Sequence, residues 1–140
     1  MDYPKPLQDI ADGTKYPIDA FHFVRRGLDY TVQHAHENAA MMSETERHVS
    51  GRQLCEGLRD YALMQYGQLT QTMLRRWGII DSMDFGEIVF AMVRGGLMQA
   101  TEHDSIDDFR DVFRFDELTT HVPVEAVVFE ESEISSQQYD

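Results

Sequence analysis

Apolar residues recur three and four positions apart over much of the chain, which is the spacing of one face of an α-helix. The first such stripe starts after Pro17, a residue suited to a first helical turn, and runs to about His36. Its members are Phe21, Val24, Leu28, Val32 and Ala35. We expect a helix here that packs one face on the core.

A second helix is predicted from Ser50 to Gly67. The stretch "SGRQ" has the spacing of a capping box, in which the Ser50 hydroxyl accepts a first-turn amide and Gln53 reaches back. The inner stripe consists of Leu54, Leu58, Tyr61, Ala62 and Gln65. Gly67 is a suitable stop.

Two further helices follow. The third runs from about Gln68 to Trp77, with Leu69 and Met73 on the face of Trp77, and Gly78 ends it. The fourth is expected to open at Asp84, where "DFGE" offers a cap, and to continue to "GG" at 95–96. Its apolar stripe consists of Phe85, Ile88, Val89, Met92, Val93 and Leu97.

The rest of the chain is less regular. "IDDFRDVF" after Ser105 predicts a fifth helical piece with Ile106, Phe109 and Phe113 on one face. Prolines and Gly13 indicate an N-terminal arm at 1–16, with one helical turn near Leu7 to Ala11. The whole predicts a mainly α protein, a compact bundle of about five helices at 17–121. An extended segment or edge strand is expected at 122–129, and a disordered acidic tail at 130–140.

Charge is unevenly distributed along the 140 residues. The net charge is −13, and residues 101–140 hold twelve acidic residues against two arginines, which leaves −3 for the first hundred. Bulk acidity opposes binding to phosphate backbones and to anionic lipid.

Three features of the sequence bear on the cellular compartment. No run approaches the roughly 20 apolar residues of a membrane span, and "MDYPKPLQDIADG" lacks the pattern of a signal peptide. The single cysteine, Cys55, cannot form an internal disulfide and is expected in or near the core. These features predict a cytoplasmic protein that does not enter a membrane.

The stretch "LRRWGIIDSMDFGEIVF" has the outline of a helix-turn-helix within 68–97. As a nucleic-acid reader it would offer Arg75 and Arg76 to phosphate, and Arg94 to base edges. A helix face with one arginine beside Glu87 and Ala91 offers few side chains that could read base edges. The pattern therefore favours a corner of the core, with Trp77 inside, and nucleic-acid binding is kept as the alternative.

A weak metal-site candidate lies at "HAHE", which comprises His34, His36 and Glu37, with His48 further on. Two histidines two positions apart on a helix point to different sides, so a solvated helix end is the favoured interpretation. No Walker-type loop, GxSxG elbow or dinucleotide fingerprint is present in the sequence, and no cofactor is predicted.

The acidic end joins an apolar stretch to a run of carboxylates. It is either a solubilising tail or a segment that adds to a partner's sheet edge or basic groove. The candidate partner-binding residues are Val124, Val127, Phe129, Glu130 and Glu131.

Several blocks occur together and in a fixed order: "HVSGRQLCEGLRDYAL", "WGI", "DFGEIVFAMV", "GLM", "TEHDSIDDFRD" and "FDE". In these blocks, over about residues 16 to 117, the chain resembles a family of small uncharacterised bacterial proteins found mainly in planctomycetes and verrucomicrobia. The resemblance implies a bacterial origin. Because that family has no assigned activity, no site residues carry over from it.

The sequence thus predicts a non-catalytic module that binds another macromolecule, most simply another protein. Nucleic-acid or ribonucleoprotein binding through 68–97 and surface arginines is the alternative. A metal-dependent enzyme using His34, His36 and His48 is the remote one.

Overall fold

The computed structural model describes residues 5–36 and 48–118, and this part of the chain is helical. It contains no strand and has five α-helices, which confirms the mainly α prediction. They are α1 (Leu7–Asp12), α2 (Ile18–Ala35), α3 (Gly51–Tyr66), α4 (Thr70–Arg76) and α5 (Ser82–Arg94). Three 3-10 helices lie at Gly67–Leu69, Ile106–Phe109 and Phe115–Glu117. No helix in these two ranges is long and apolar enough to cross a bilayer.

Two side-chain caps fix where α3 and α5 begin. The capping box predicted at the start of α3 is present: the Gln53 amide donates to Ser50 Oγ over 3.1 Å, and Gln53 Oε1 accepts from the Ser50 amide over 2.9 Å. The start predicted for α5 was three residues late. "DSMD" has the same spacing as "DFGE", and Asp81 is the true N-cap, with Asp84 closing the box.

Helix α5 lies at the centre of the fold, packed against α2, α3, α1 and the 3-10 helix Ile106–Phe109. Its buried residues fall on more than one face: Ser82, Asp84, Phe85, Gly86, Ile88, Val89, Ala91 and Met92. Ala91 was expected on the exposed face and is buried instead, because neighbours cover α5 on several sides. At Gly86 a Cβ would lie 2.9 Å from Phe109 Cβ, so the Phe109 side chain rests directly on the helix backbone.

Helices α2 and α3 approach each other through two glycines. A Cβ at Gly57 would lie 1.9 Å from Thr31 Oγ1, and one at Gly27 would lie 2.3 Å from Leu58 Cδ2. The Thr31 hydroxyl donates to the Gly27 carbonyl over 2.7 Å. Because of this close crossing, the buried face of α2 is broader than the predicted stripe. The buried residues are Ala20, Phe21, Phe23, Val24, Gly27 and Thr31.

Some predicted members of these stripes are not buried. On α2, Leu28 and Val32 are only partly buried and Ala35 is exposed, while Gln65 at the end of α3 is also exposed. Leu28 and Val32 line a groove between α2 and α5, whereas Ala35 and Gln65 lie in the last turns of their helices.

The N-terminal segment, assigned from the sequence to an arm at 1–16, packs on the helices in its described part. Ile10, Ala11 and Tyr16 are buried, and α1 occupies the predicted helical turn. The Tyr16 hydroxyl hydrogen-bonds to the Asp84 carboxylate and lies 2.8 Å from Glu87 Oε1. Prolines mark a break in local structure, but they carry no information about a partner 68 positions away.

The turn between α3 and α4 differs from the single helix predicted at 68–77. The 3-10 helix Gly67–Leu69 changes the helical phase, so Leu69 is 62% exposed, against the prediction. Thr70 takes the inner position, and its hydroxyl donates to the carbonyls of Ala62 and Gly67. Trp77 is buried beside Phe23, as expected of a core corner.

The fifth piece is shorter than predicted, since only Ile106–Phe109 is helical. Phe109 and Phe113 are buried, but Ile106 is only partly so. The Ser82 hydroxyl donates to the Phe109 carbonyl over 2.6 Å and accepts from the Val112 amide over 3.2 Å. These bonds occupy backbone groups that a continuing helix would use. The predicted extended segment and acidic tail, 122–140, lie outside the described residues.

Candidate functional site

A groove of about 760 Å³ lies between α2, the start of α3, the second half of α5 and the chain that follows α5. Its floor is formed by the buried side chains of Val49, Leu54, Val89 and Phe109. Above the floor, six apolar side chains are only partly buried: Leu28, Val32, Phe90, Val93, Leu97 and Met98. The volume falls in the range of about 300–1,000 Å³ typical of ligand clefts.

Local backbone geometry explains why these side chains meet. Gly95 is the C-cap of α5, and Gly96 takes a φ of 85°, a conformation that favours glycine. The Leu97 and Met98 amides then both donate to the Met92 carbonyl, over 2.9 and 3.3 Å. The chain therefore folds back over its own helix end and turns these two side chains toward the groove.

The rim of the groove is polar and includes two carboxylates. Lining polar residues come from α2, the start of α3 and the chain after α5: Asp29, Gln33, His48, Gln99, Thr101, Asp104 and Ser105. Within the described part of the chain, no lysine or arginine lines it. The rim thus offers mainly hydrogen-bond acceptors and negative charge.

One side-chain contact joins two sides of the rim. His48 Nε2 lies 3.0 Å from Asp104 Oδ2, which also accepts from the Thr101 amide over 2.8 Å and from its hydroxyl over 3.2 Å. Burial alone would raise the pKa of Asp104, but the Thr101 amide and the nearby His48 outweigh it and lower the pKa below its usual value. This pair holds the start of α3 against the turn at 101–105.

A carboxylate that orients an imidazole is one part of many catalytic sites. Nucleophilic catalysis also needs a hydroxyl or thiol hydrogen-bonded to the ring, and none of the described residues supplies one. Cys55 is fully buried, and this burial raises the pKa of its thiol to about 12. The geometry is that of a structural contact at the groove rim.

The predicted metal candidates do not converge. His34 is exposed and hydrogen-bonds to the Tyr30 carbonyl over 2.8 Å, while His36 approaches the backbone carbonyl of His48, 3.4 Å away. Glu37 lies outside the described residues. In residues 5–36 and 48–118, no three His, Cys, Asp or Glu side chains are grouped as a metal site. His48 pairs with Asp104, a residue that the sequence analysis missed, although "TEHD" has the spacing of a capping box, with Thr101 three positions before Asp104.

The predicted nucleic-acid residues are separated by the length of α5. The Arg75 guanidinium lies 5.1 Å from the Phe115 ring centre, Arg76 is exposed, and Arg94 occupies the last turn of α5. With 13 residues, α5 is about 20 Å long. A recognition helix exposes its first turns to bases, whereas most of the first turns of α5 are buried. The stretch 74–90 therefore forms a corner of the core.

The C-terminal candidates, Val124, Val127, Phe129, Glu130 and Glu131, lie outside the described residues. No family model, curated protein or solved structure matches the chain. The resemblance described under Sequence analysis therefore stays a prediction.

Proposed function

We propose that the protein is a non-catalytic docking module and that the groove beside α5 receives an apolar segment of another protein. The observation that carries this proposal is the convergence of six partly buried apolar side chains, from α2, α5 and the chain after α5, on one concave surface. Apolar surface of this kind, rimmed by polar groups, is typical of interaction sites. We also propose a cytoplasmic location, which the free and buried thiol of Cys55 supports.

Charge supports a protein partner over a nucleic acid. Four of the nine arginines in the described part of the chain pair with acids: Arg52 with Glu56, Arg59 with Asp60, Arg110 with Asp107 and Arg114 with Asp116. Because phosphate binding depends on uncompensated positive charge, these pairs and the net charge of −13 weaken it.

Site-directed photocrosslinking tests the proposal. Gln33 lines the groove and is exposed, so Gln33→Cys provides a thiol there for a benzophenone maleimide, while buried Cys55 stays unlabelled. Gln65→Cys, an exposed position on α3 outside the groove, is the matched control. In a native lysate we expect a discrete protein adduct from position 33 that is absent from position 65 and survives nuclease.

Two results would contradict the docking function. Identical adducts from both positions would mean that the groove is not a preferred contact. Loss of the position-33 adduct after nuclease would favour the nucleic-acid alternative.

A further inference from the structure

The charges at the groove rim restrict what can fill it. Asp29 on α2 and Asp104 after α5 lie in the lining, and no lysine or arginine joins them in the described part of the chain. Residues 5–36 and 48–118 hold 16 acidic residues and 11 lysines and arginines, so their net charge of −5 has the same sign as the groove rim. A cationic occupant is attracted on approach, and an anionic one is repelled.

The same argument disfavours occupants from the chain itself. Residues 119–140 carry five acidic residues and no lysine or arginine. A second copy of the chain brings another net −13. Nucleic acid and anionic lipid are disfavoured for the same reason.

Backbone hydrogen bonding restricts the occupant further. A peptide that binds as an added β-strand needs a sheet edge to satisfy its amides and carbonyls, and residues 5–36 and 48–118 contain no strand. A helix satisfies its own backbone groups and presents apolar side chains at i, i+3, i+4 and i+7 to a groove. The stretch Leu28 to Gln33 covers about 8 Å along α2, which matches one to two turns of an opposing helix.

We propose that the groove binds an amphipathic helix of a partner protein, whose apolar side chains contact Val32 and Val93 and whose flanking lysine or arginine side chains face Asp29 and Asp104. This inference rests on the proposed docking function and names the chemistry of the partner. Asp29 makes no ion pair with a described residue, which leaves its carboxylate available. Asp104 is already turned to the rim by Thr101 and His48.

Three fluorescein-labelled peptides of about 16 residues, long enough for helix formation, test the proposal. They share leucines at i, i+3, i+4 and i+7, and their remaining positions are Lys, Gln or Glu. Fluorescence anisotropy with the full chain measures their dissociation constants. We expect the Lys peptide to bind most tightly and the added salt to weaken it.

Matched variants locate the binding. Asp29→Asn is expected to weaken the Lys peptide about twofold to fivefold, as for an exposed ion pair, and Asp19→Asn at the far end of α2 to leave it unchanged. Val93→Ala removes apolar contact in the groove and is expected to weaken all binding about tenfold. Leu69→Ala, an exposed apolar residue outside the groove, is the control, and circular dichroism checks that each variant is folded.

The outcomes separate the two proposals. If the Gln and Glu peptides bind as tightly as the Lys peptide and Val93→Ala weakens all three, selection for a cationic helix is wrong and groove docking stands. If the Lys peptide binds but neither Val93→Ala nor Asp29→Asn weakens it, the attraction is diffuse and the inference fails. If none of the peptides binds, the groove does not accept a helix and the inference fails, while the photocrosslinking result still decides docking.

Discussion

At the scale of single residues, the fold depends on positions where only hydrogen fits. The α2–α3 crossing places the Thr31 side chain against the backbone at Gly57, and α5 carries Phe109 on Gly86. The sequence alone marks glycine in a helix as unfavourable by up to about 1 kcal/mol relative to alanine. The close contacts explain why glycine is nevertheless needed here.

Gly57→Ala is expected to destabilise the protein by about 1 to 3 kcal/mol, because the new Cβ would lie 1.9 Å from Thr31 Oγ1 and the helices must separate. Urea unfolding followed by circular dichroism measures the change. Gly13→Ala is the matched control, since its nearest non-neighbouring heavy atom is 3.6 Å away, and we expect a change of about 0.5 kcal/mol or less. Equal stability of Gly57→Ala and the unchanged protein would contradict the close crossing.

Residue burial could be predicted only where local pattern decides it. Cys55 and Trp77 were expected in or near the core and are buried, because each adjoins or belongs to a helical stripe. Leu69 was expected inside and is exposed, because one 3-10 turn changed the phase. Asp84 is buried because Tyr16, distant in sequence, binds it, and no local pattern contains that contact.

At the scale of elements, the start of a helix could be predicted where the sequence offered a single capping motif. Ser50 had no competitor and was placed correctly, whereas Asp81 and Asp84 offered the same cap three positions apart. The helix expected after Ser105 stopped early because Ser82, on another element, bonds its backbone groups. Capping motifs and apolar periodicity thus predicted which segments are helical, whereas contacts between elements determine where the helices end.

The Asp104 contact gives the junction between α3 and the 101–105 turn a pH dependence. Its carboxylate has a pKa below the ordinary 3.8 in the folded protein, so folding favours the ionised form. Its contribution to the free energy of unfolding is therefore present above about pH 4 and is lost as pH falls through the lowered pKa. We expect Asp104→Asn to be less stable than the unchanged protein at neutral pH.

Urea unfolding of both proteins across pH checks this expectation. The difference in unfolding free energy should shrink as the pH falls below about 4. Asp29→Asn, which removes an exposed carboxylate on α2 that makes no ion pair with a described residue, controls for the general loss of one charge. A difference that grows toward acid pH would show that Asp104 does not stabilise the fold as a carboxylate.

At the scale of the whole molecule, Cys55 reports how often the core opens. The thiol is fully buried and its pKa is raised to about 12, so a thiol reagent reaches a reactive sulfur only after the structure opens. We expect labelling by a disulfide reagent, followed by absorbance, to be slow in buffer and rapid in urea. Gln33→Cys adds an exposed thiol on the groove rim that should react at once. Equal rates for the two thiols in buffer would contradict the buried position of Cys55.

The fold class was predictable at this scale, but the groove was not. Its two main walls come from α2 and α5, which lie some 60 residues apart in the sequence, and neither stripe reveals which of its apolar residues stay partly uncovered. Leu28, Val32 and Val93 all read as core positions. Only the arrangement of helices distinguishes the partly buried lining of the groove from the interior.

The N-terminal segment also has a consequence for the order in which the protein acquires its structure. Tyr16 binds the first turns of α5 through Asp84, and the Lys5 amide donates to the Gly95 carbonyl at its end. A ribosome makes residues 5–16 before it makes α5, and at about 5–20 residues per second the 68 positions from Tyr16 to Asp84 take roughly 3 to 14 s. The N-terminal segment therefore cannot complete its contacts until α5 has been made, and the core residues Phe109, Phe113 and Leu118 follow later still.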